Sequence, residues 1–172
     1  QNLIESTPVI IDSKTGVSGA GRKPNLKFHY PECNESVAAY GVGTHRHMPE
    51  INQIIDRFCN QKVSATFTPH LIPMDRGILS TIYVKPKPGV DASELHNQLD
   101  DFYHDETFVR ITDTLPNTKD VTHTNFCDIS ISQCGELTVI VSVLDNLIKG
   151  ASGAAVQNFN LMLGLPETTG IL

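Results

Sequence analysis

Thr124-Asn-Phe-Cys-Asp-Ile-Ser-Ile-Ser132 and Leu137-Thr-Val-Ile-Val-Ser-Val-Leu144, separated only by Gln133-Cys-Gly-Glu136, are the stretch on which the fold turns. Both runs are rich in β-branched residues, and a short glycine-bearing connection between two such runs predicts a hairpin. The second run is apolar at successive positions, so both of its faces are covered and it lies centrally in its sheet. Outward from this pair, Phe108 to Thr112, Ile78 to Lys85 (ended by Pro86-Lys-Pro-Gly89) and Val63 to Leu71 also read as strands. So do Ser36 to Val42 and Pro8-Val-Ile-Ile-Asp-Ser13, while residues 22–35 form an irregular excursion. Three helices are interspersed. One starts at Pro49 and carries Ile51, Ile54, Ile55 and Phe58 at helical spacing. A second follows the capping-box pattern Asp91-Ala-Ser-Glu94, with Leu95, Leu99, Phe102 and Tyr103 on one face. The third, Lys149 to Leu163, is rich in Gly and Ala and is closed by Gly164 and Pro166. Strands in runs with helices between them predict an α+β domain over 1–172, with a mixed, mainly antiparallel sheet and its helices on one face.

Composition supports one self-sufficient core. The chain has 172 residues, 40% hydrophobic and 19% charged, which excludes a disordered or fibrous class and needs no disulfide or metal to hold it. Its net charge of −6 argues against nucleic acid or an anionic membrane as partner, so an anionic ligand must meet a local cluster of positive charge. No apolar run is long enough to span a bilayer, and Gln1-Asn-Leu-Ile-Glu5 lacks a secretory pattern. Cys33, Cys59, Cys127 and Cys134 form no CxxC pair and read as reduced, packing thiols of a cytoplasmic protein. The missing initiator Met hints at a piece of something longer.

Four strings could carry chemistry. In Thr44-His45-Arg46-His47 two imidazoles at i and i+2 point to one side of an extended chain, with Arg46 opposite. They could ligate a metal, one could serve as an acid–base group near neutral pH, or both could be ordinary surface residues. Ser18-Gly19-Ala-Gly-Arg22-Lys23 offers flexible amides leading into two cations, either an anion cradle or a solvated turn. Asp75-Arg76-Gly77 is a turn or a substrate clamp, and Lys149-Gly150-Ala-Ser-Gly153 opens a helix whose free amides attract anions or whose small residues permit close packing. No G-x-G-x-x-G stands between a strand and a helix, so no dinucleotide fold is present.

Taken in order, these strings resemble the C-terminal half of the N-acetyl-γ-glutamyl-phosphate reductase family. The matching segments are Asp12-Ser-Lys-Thr-Gly-Val-Ser-Gly-Ala-Gly-Arg-Lys23, His45-Arg-His-Met-Pro-Glu-Ile51, and Phe67-Thr-Pro-His-Leu-Ile-Pro-Met-Asp-Arg-Gly-Ile-Leu79. They continue with Asp145-Asn-Leu-Ile-Lys-Gly-Ala-Ser-Gly-Ala-Ala-Val-Gln-Asn158 and Gly164-Leu-Pro-Glu167, so the resemblance covers nearly the whole chain. It implies the sheet domain of glyceraldehyde-phosphate and aspartate-semialdehyde dehydrogenase-like enzymes. The implied reaction is NADPH-dependent reduction of an acyl phosphate through a thioester on a cysteine in an Asn-Pro-Gly-Cys-Tyr motif. None of the four cysteines here has that context. The resemblance therefore implies a catalytic and dimerising domain without its nucleophile or most of its NADP site.

On that resemblance His45 is the catalytic base and then proton donor, and His47 orients substrate or His45. Arg46, Arg22 and Arg76, with Ser18 and Gly19, hold the acyl phosphate or the substrate carboxylate. Gly150, Gly153 and Asn158 approach the nicotinamide side of NADPH, and no metal is required. The implied partners are a small acyl-phosphate substrate and a second copy of the chain. Two other classes stay open: a stand-alone α+β binding or regulatory module, and a metal-dependent hydrolase using His45 and His47.

Overall fold

The computed structural model describes residues 3–6, 8–59 and 63–172; Gln1 and Asn2, read above as the start of a chain without a targeting pattern, lie outside them. In chain order the strands are β1 (Val9–Thr15), β2 (Ala38–Ala39), β3 (Ala65–Leu71), β4 (Ile78–Val84), β5 (Val109–Ile111), β6 (Cys127–Cys134) and β7 (Leu137–Leu144). The α-helices are α1 (Tyr30–Cys33, one turn), α2 (Met48–Phe58), α3 (Ala92–Tyr103) and α4 (Gly153–Met162). All seven strands join one sheet in the order β2-β3-β1-β4-β7-β6-β5.

The hairpin forms with a shorter loop than the four residues expected. β6 and β7 pair from Cys127↔Leu144 to Cys134↔Leu137, which leaves Gly135 and Glu136 as the turn. Gly135 has φ +60°, the conformation a two-residue hairpin turn needs at its first position. β7 lies between β4 and β6, the interior place its apolar sequence requires. The sheet is mixed: four of its six pairings are antiparallel, while β1 runs parallel to β3 and β5 parallel to β6. Each parallel pair needs a crossover, and the chain supplies two long ones, from β1 to β3 through α2 and from β5 to β6 through residues 112–126.

Strand alternation divides the side chains between two faces. Phe67 (in contact with His45 just ahead of α2) lies on the face shared by α2 and α3, with Cys127 close to Tyr103 of α3. Asp91 caps α3 by accepting from the Glu94 amide at 2.9 Å, as its sequence predicts. The opposite face presents two cross-strand rows, Ile10–Tyr83–Val139–Ser132 and Asp12–Thr81–Val141–Ser130. Toward the C-terminal end of β7 this second face is covered, and Val143 is fully buried there. The last helix does not lie on the sheet. A turn of wider, π-type helix (Ile148–Ser152) leads from β7 into α4, whose Gln157 accepts from the buried Asn125 side chain at 3.0 Å.

Candidate active site

The C-terminal ends of β1 and β7 and the start of β4 lie side by side at one end of the central strands, and there the loops carry the polar residues. Gly16 leaves β1 with its amide bonded to Gly77 O at 3.0 Å. A side chain at residue 16 would put Cβ against Asp75 O, so only glycine lets the two loops approach this closely. Ser18 fastens them: its amide donates to Asp75 O at 3.1 Å and its hydroxyl to the same oxygen at 2.6 Å. Asn146, almost buried at the end of β7, completes the tie by accepting from the Gly77 amide at 2.7 Å and donating to Ser18 Oγ at 3.0 Å.

Asp145 beside it is fully buried. Its Oδ2 accepts from the His123 amide at 2.8 Å and from Arg76 Nη1 at 3.4 Å; its Oδ1 accepts from the Leu147 and Ile148 amides at 2.8 and 3.0 Å. Burial pushes this carboxyl up, but the three amides and the guanidinium together bring it below the ordinary carboxylate range. The negative charge so retained fixes one edge of Arg76, and the rest of the guanidinium stays partly open to solvent. His123 adopts φ +64°, a strained conformation for a residue other than glycine, to direct its amide at Asp145.

His45 is built by other elements. Tyr40 follows β2, Gly41 turns the chain at φ +58°, and the ring of His45 comes to rest half-buried between Tyr40, Phe67 and His47. The ring centroids lie 5.5, 5.1 and 5.0 Å away, all edge-on. Burial lowers the pKa of His45, and the neighbouring His47 and Arg46 lower it further. His47 sits immediately ahead of α2, and its amide donates to His45 Nδ1 at 3.3 Å.

The sequence-derived residues thus fall into two settings. Ser18, Gly19, Arg22 and Arg76 gather around Asp75 and Asn146: Gly19 lies against Asn146, Arg22 lines a shallow depression with Ser18 and Asp75, and Arg76 Nε is 3.9 Å from Asp75 Oδ2. Arg46 lies close to His45, next to His47, and both Arg46 and His47 are exposed. At the head of α4, Gly150 and Asn158 are exposed, whereas Gly153 is buried. A Cβ at Gly153 would lie on Asn125 Oδ1, so its small size serves packing. Among the described residues no group of three His, Cys, Asp or Glu is arranged to hold a metal, and no helix is long and apolar enough to cross a membrane. The four cysteines are free, and burial pushes the Cys127 thiol up.

Residue-level reading of the sequence gave no role to Asp145, Asn146, Asn125 or Tyr40. A signal for the first two was available: an acid and an amide directly after an unbroken apolar strand need partners where they stand.

The fold defines the class. It superposes on the sheet domain of aspartate-semialdehyde dehydrogenases: aspartate semialdehyde dehydrogenase II from Vibrio cholerae at TM-score 0.70 and 15% identity, covering 94% of this chain and 55% of that one. A probable aspartate-semialdehyde dehydrogenase from Pseudomonas aeruginosa gives TM-score 0.73 at 14% identity, over 93% of this chain and 56% of that one. The family follows from sequence. The chain belongs to the semialdehyde dehydrogenase family, whose dimerisation-domain model matches residues 1–146. Curated relatives carry the name N-acetyl-gamma-glutamyl-phosphate reductase. One from Rhodopirellula baltica is 54% identical over 99% of this chain, and one from Staphylococcus saprophyticus is 48% identical over 100%. The chain spans about half the length of these relatives, 51% in each case.

Proposed function

We propose that this chain is the C-terminal catalytic and dimerising domain of an NADPH-dependent reductase. Its substrate is N-acetyl-glutamyl 5-phosphate and its products are the 5-semialdehyde and phosphate, a step of arginine biosynthesis in the cytoplasm. The observation that carries the reading is the similarity to reductases of that name, 54% identical over 99% of the chain. The thioester-forming cysteine lies outside this chain, in keeping with four cysteines of which none stands in an Asn-Pro-Gly-Cys-Tyr context.

Each residue then has a task. His45 faces the reacting carbon and serves the oxygen on which negative charge collects, with His47 orienting it. Arg76, oriented by Asp145, binds an oxyanion of the acyl phosphate or the carboxylate, and Arg22 with Ser18 and Gly19 closes the anion site from the β1 loop. Arg46 supplies positive charge on the His45 side. NADPH, when bound, supplies hydride. Gly150 and Asn158, exposed at the head of α4, suit contact with its nicotinamide side, and Gly153 lets the helix pack close enough to present them. A second copy of the chain covers the sheet face that bears Tyr83, Val139 and Val141.

The test is an assay in the direction of semialdehyde, phosphate and NADP. The intact protein should turn over, and this chain purified alone should fold yet give no activity above background. Turnover by the isolated chain would make one of its own cysteines the nucleophile and overturn the reading.

A further inference from the structure

We propose that the two anionic ends of the substrate are held in separate places: the phosphate in a basic depression formed by Arg22, Lys23 and His29, and the carboxylate on Arg76. The proposal rests on the reading of function above and deepens it, since that reading does not divide the cations between the two anions.

The depression is built by the excursion between β1 and β2. The chain leaves β1 through one 3-10 turn, Val17–Ala20, and reverses at Gly21, whose φ of +73° and ψ of −161° are open to glycine alone. Arg22 and Lys23 follow at once. Asn25 then caps a second short turn by accepting from the Lys27 amide at 3.2 Å, a bond that leaves both of its Nδ2 hydrogens unspent. These residues and His29 surround a shallow cavity of about 300 Å³ with Phe28 as an apolar wall. That is the low end of ligand pockets, a fit for a phosphate group rather than a dinucleotide. Arg76 does not line it. Asp75 stands between the two basic groups: it lines the depression, and its Oδ2 lies 3.9 Å from Arg76 Nε. A carboxylate in that place divides the positive charge into two subsites.

The two settings suit different anions. Arg76 directs Nη1 at the buried Asp145 carboxylate at 3.4 Å, and together the two carry no net charge. What this pair offers a ligand is a planar fork already fixed in place, which matches the geometry of a carboxylate. The depression instead gathers two full cations and an imidazole, which answers a phosphate with close to two negative charges at neutral pH. The course of the reaction points the same way. The carboxylate stays on the carbon chain from substrate to product, whereas the phosphate is exchanged as its bond to the acyl carbon breaks or forms. A locked guanidinium serves the first, and long-stemmed cations that adjust to a moving group serve the second. Ser18 spends its one hydroxyl hydrogen on Asp75 O, so it holds the rim of the depression rather than the ligand.

The reverse reaction separates the two anions, because the carboxylate then arrives on the semialdehyde and the phosphate arrives free. The test measures KM for semialdehyde, inorganic phosphate and NADP in the intact enzyme. The double variant Arg22→Gln/Lys23→Gln removes two exposed cations. It should raise KM for phosphate by about 10–100-fold, the effect of losing hydrogen bonds to a charged group, and leave KM for semialdehyde unchanged. Arg76→Lys keeps a charge for Asp145 but loses the fork; it should raise KM for semialdehyde and leave that for phosphate. Lys27→Gln, an exposed cation of the same excursion that does not line the depression, should change neither and so controls for net charge. The reversed pattern overturns the inference. So does a rise in KM for NADP in the double variant, which would give the depression to a nucleotide phosphate, and so does no change in any KM, which would make it a solvated turn. If Arg76→Lys fails to fold, the double variant decides alone. An intact protein that turns over none of these substrates refutes the reading of function and the inference with it, whereas turnover with the wrong pattern refutes the inference alone.

Discussion

An imidazole wedged between Tyr40, Phe67 and His47 has little freedom to reorient, so replacing it separates its chemistry from its packing. His45→Asn in the intact enzyme should lower kcat by about 10²–10³-fold, the usual effect of removing one oxyanion donor, with little change in KM. His47→Asn keeps the backbone amide and should cost less, mainly in KM; the reverse ranking in steady-state kinetics would transfer the catalytic assignment to His47. Asp145 yields a prediction of another kind. Its folded pKa lies below the unfolded value of about 3.9, so its contribution to stability is fully present above that pH and is lost as pH falls through the folded value. Asp145→Asn should destabilise the protein by on the order of 3 kcal/mol at neutral pH, since it leaves Arg76 without its buried counter-charge. It should also flatten the acid limb of the stability–pH profile, measured by urea unfolding between pH 3 and pH 7 on the order of one unit apart; a limb as steep as before would mean that other carboxylates carry it. The contrast between these two residues shows what a sequence can reveal of a site. Thr44-His-Arg-His47 draws attention as a local string, whereas Asp145 is announced only by its place directly after an apolar strand, and its partner Arg76 lies 69 residues away.

Elements were legible where periodicity and burial agree. β7 is apolar on both faces and lies inside the sheet; α2 and α3 follow their helical spacing. The losses came where tertiary contact decides the conformation. Ser36 to Val42 shrinks to the two residues of β2: Ala38 and Ala39 pair with Leu71 and His70 of β3, and beyond them Tyr40 adds one bond to Pro69 O at 3.0 Å before Gly41 turns the chain away. The final helix was expected from Lys149, but its first turn is wider. Gly150 donates to Asp145 O and Ser152 to Leu147 O, which draws residues 148–152 into a π-type turn before α4 becomes regular at Gly153. That turn depends on a close approach between Gly153 and the loop ahead of β6. Gly153→Ala would place Cβ against Asn125 Oδ1 and 2.8 Å from Ile148 Cγ2, and 2.9 Å from Ile148 O. Backbone and a buried amide cannot both yield, so overpacking of about 1–3 kcal/mol is expected. A thermal melt of the variant that coincides with the parent would show that α4 can shift without cost.

At the scale of the whole molecule, the surface is too large for a chain of this mass that stands alone. A folded monomer of 18.9 kDa exposes about 8,300 Å² by the usual scaling, and this one exposes 10750 Å². The difference exceeds the roughly 800 Å² that one partner buries in a standard interface, and apolar groups contribute to it on more than one side. Phe159, Met162 and Leu163 are exposed along and after α4, and Ile10 and Leu137 on the sheet face that no helix covers. That sheet face has the make-up of a subunit contact. Tyr83, Val139 and Val141 form an apolar centre, and the Asp12–Lys14–His70 cluster on one side and the Arg110–Asp128 pair on the other flank it with charge. Both flanks are already paired within the chain, Lys14 to Asp12 at 2.8 Å and Arg110 to Asp128 through two bonds of 2.6 and 2.7 Å, so covering them leaves no unpaired charge. Two copies related by a two-fold axis would stack these faces and bury the centre on both sides. Val139→Glu places an unpaired carboxylate in that centre and should convert a dimer at micromolar concentration to a monomer, read by light scattering. The control is Phe102→Glu, on α3 at 71% exposure and on the other side of the sheet, which should leave the mass unchanged. A dimer that survives Val139→Glu but is lost with Phe102→Glu would move the contact to the helix-covered side, and the open sheet face would then need a different partner.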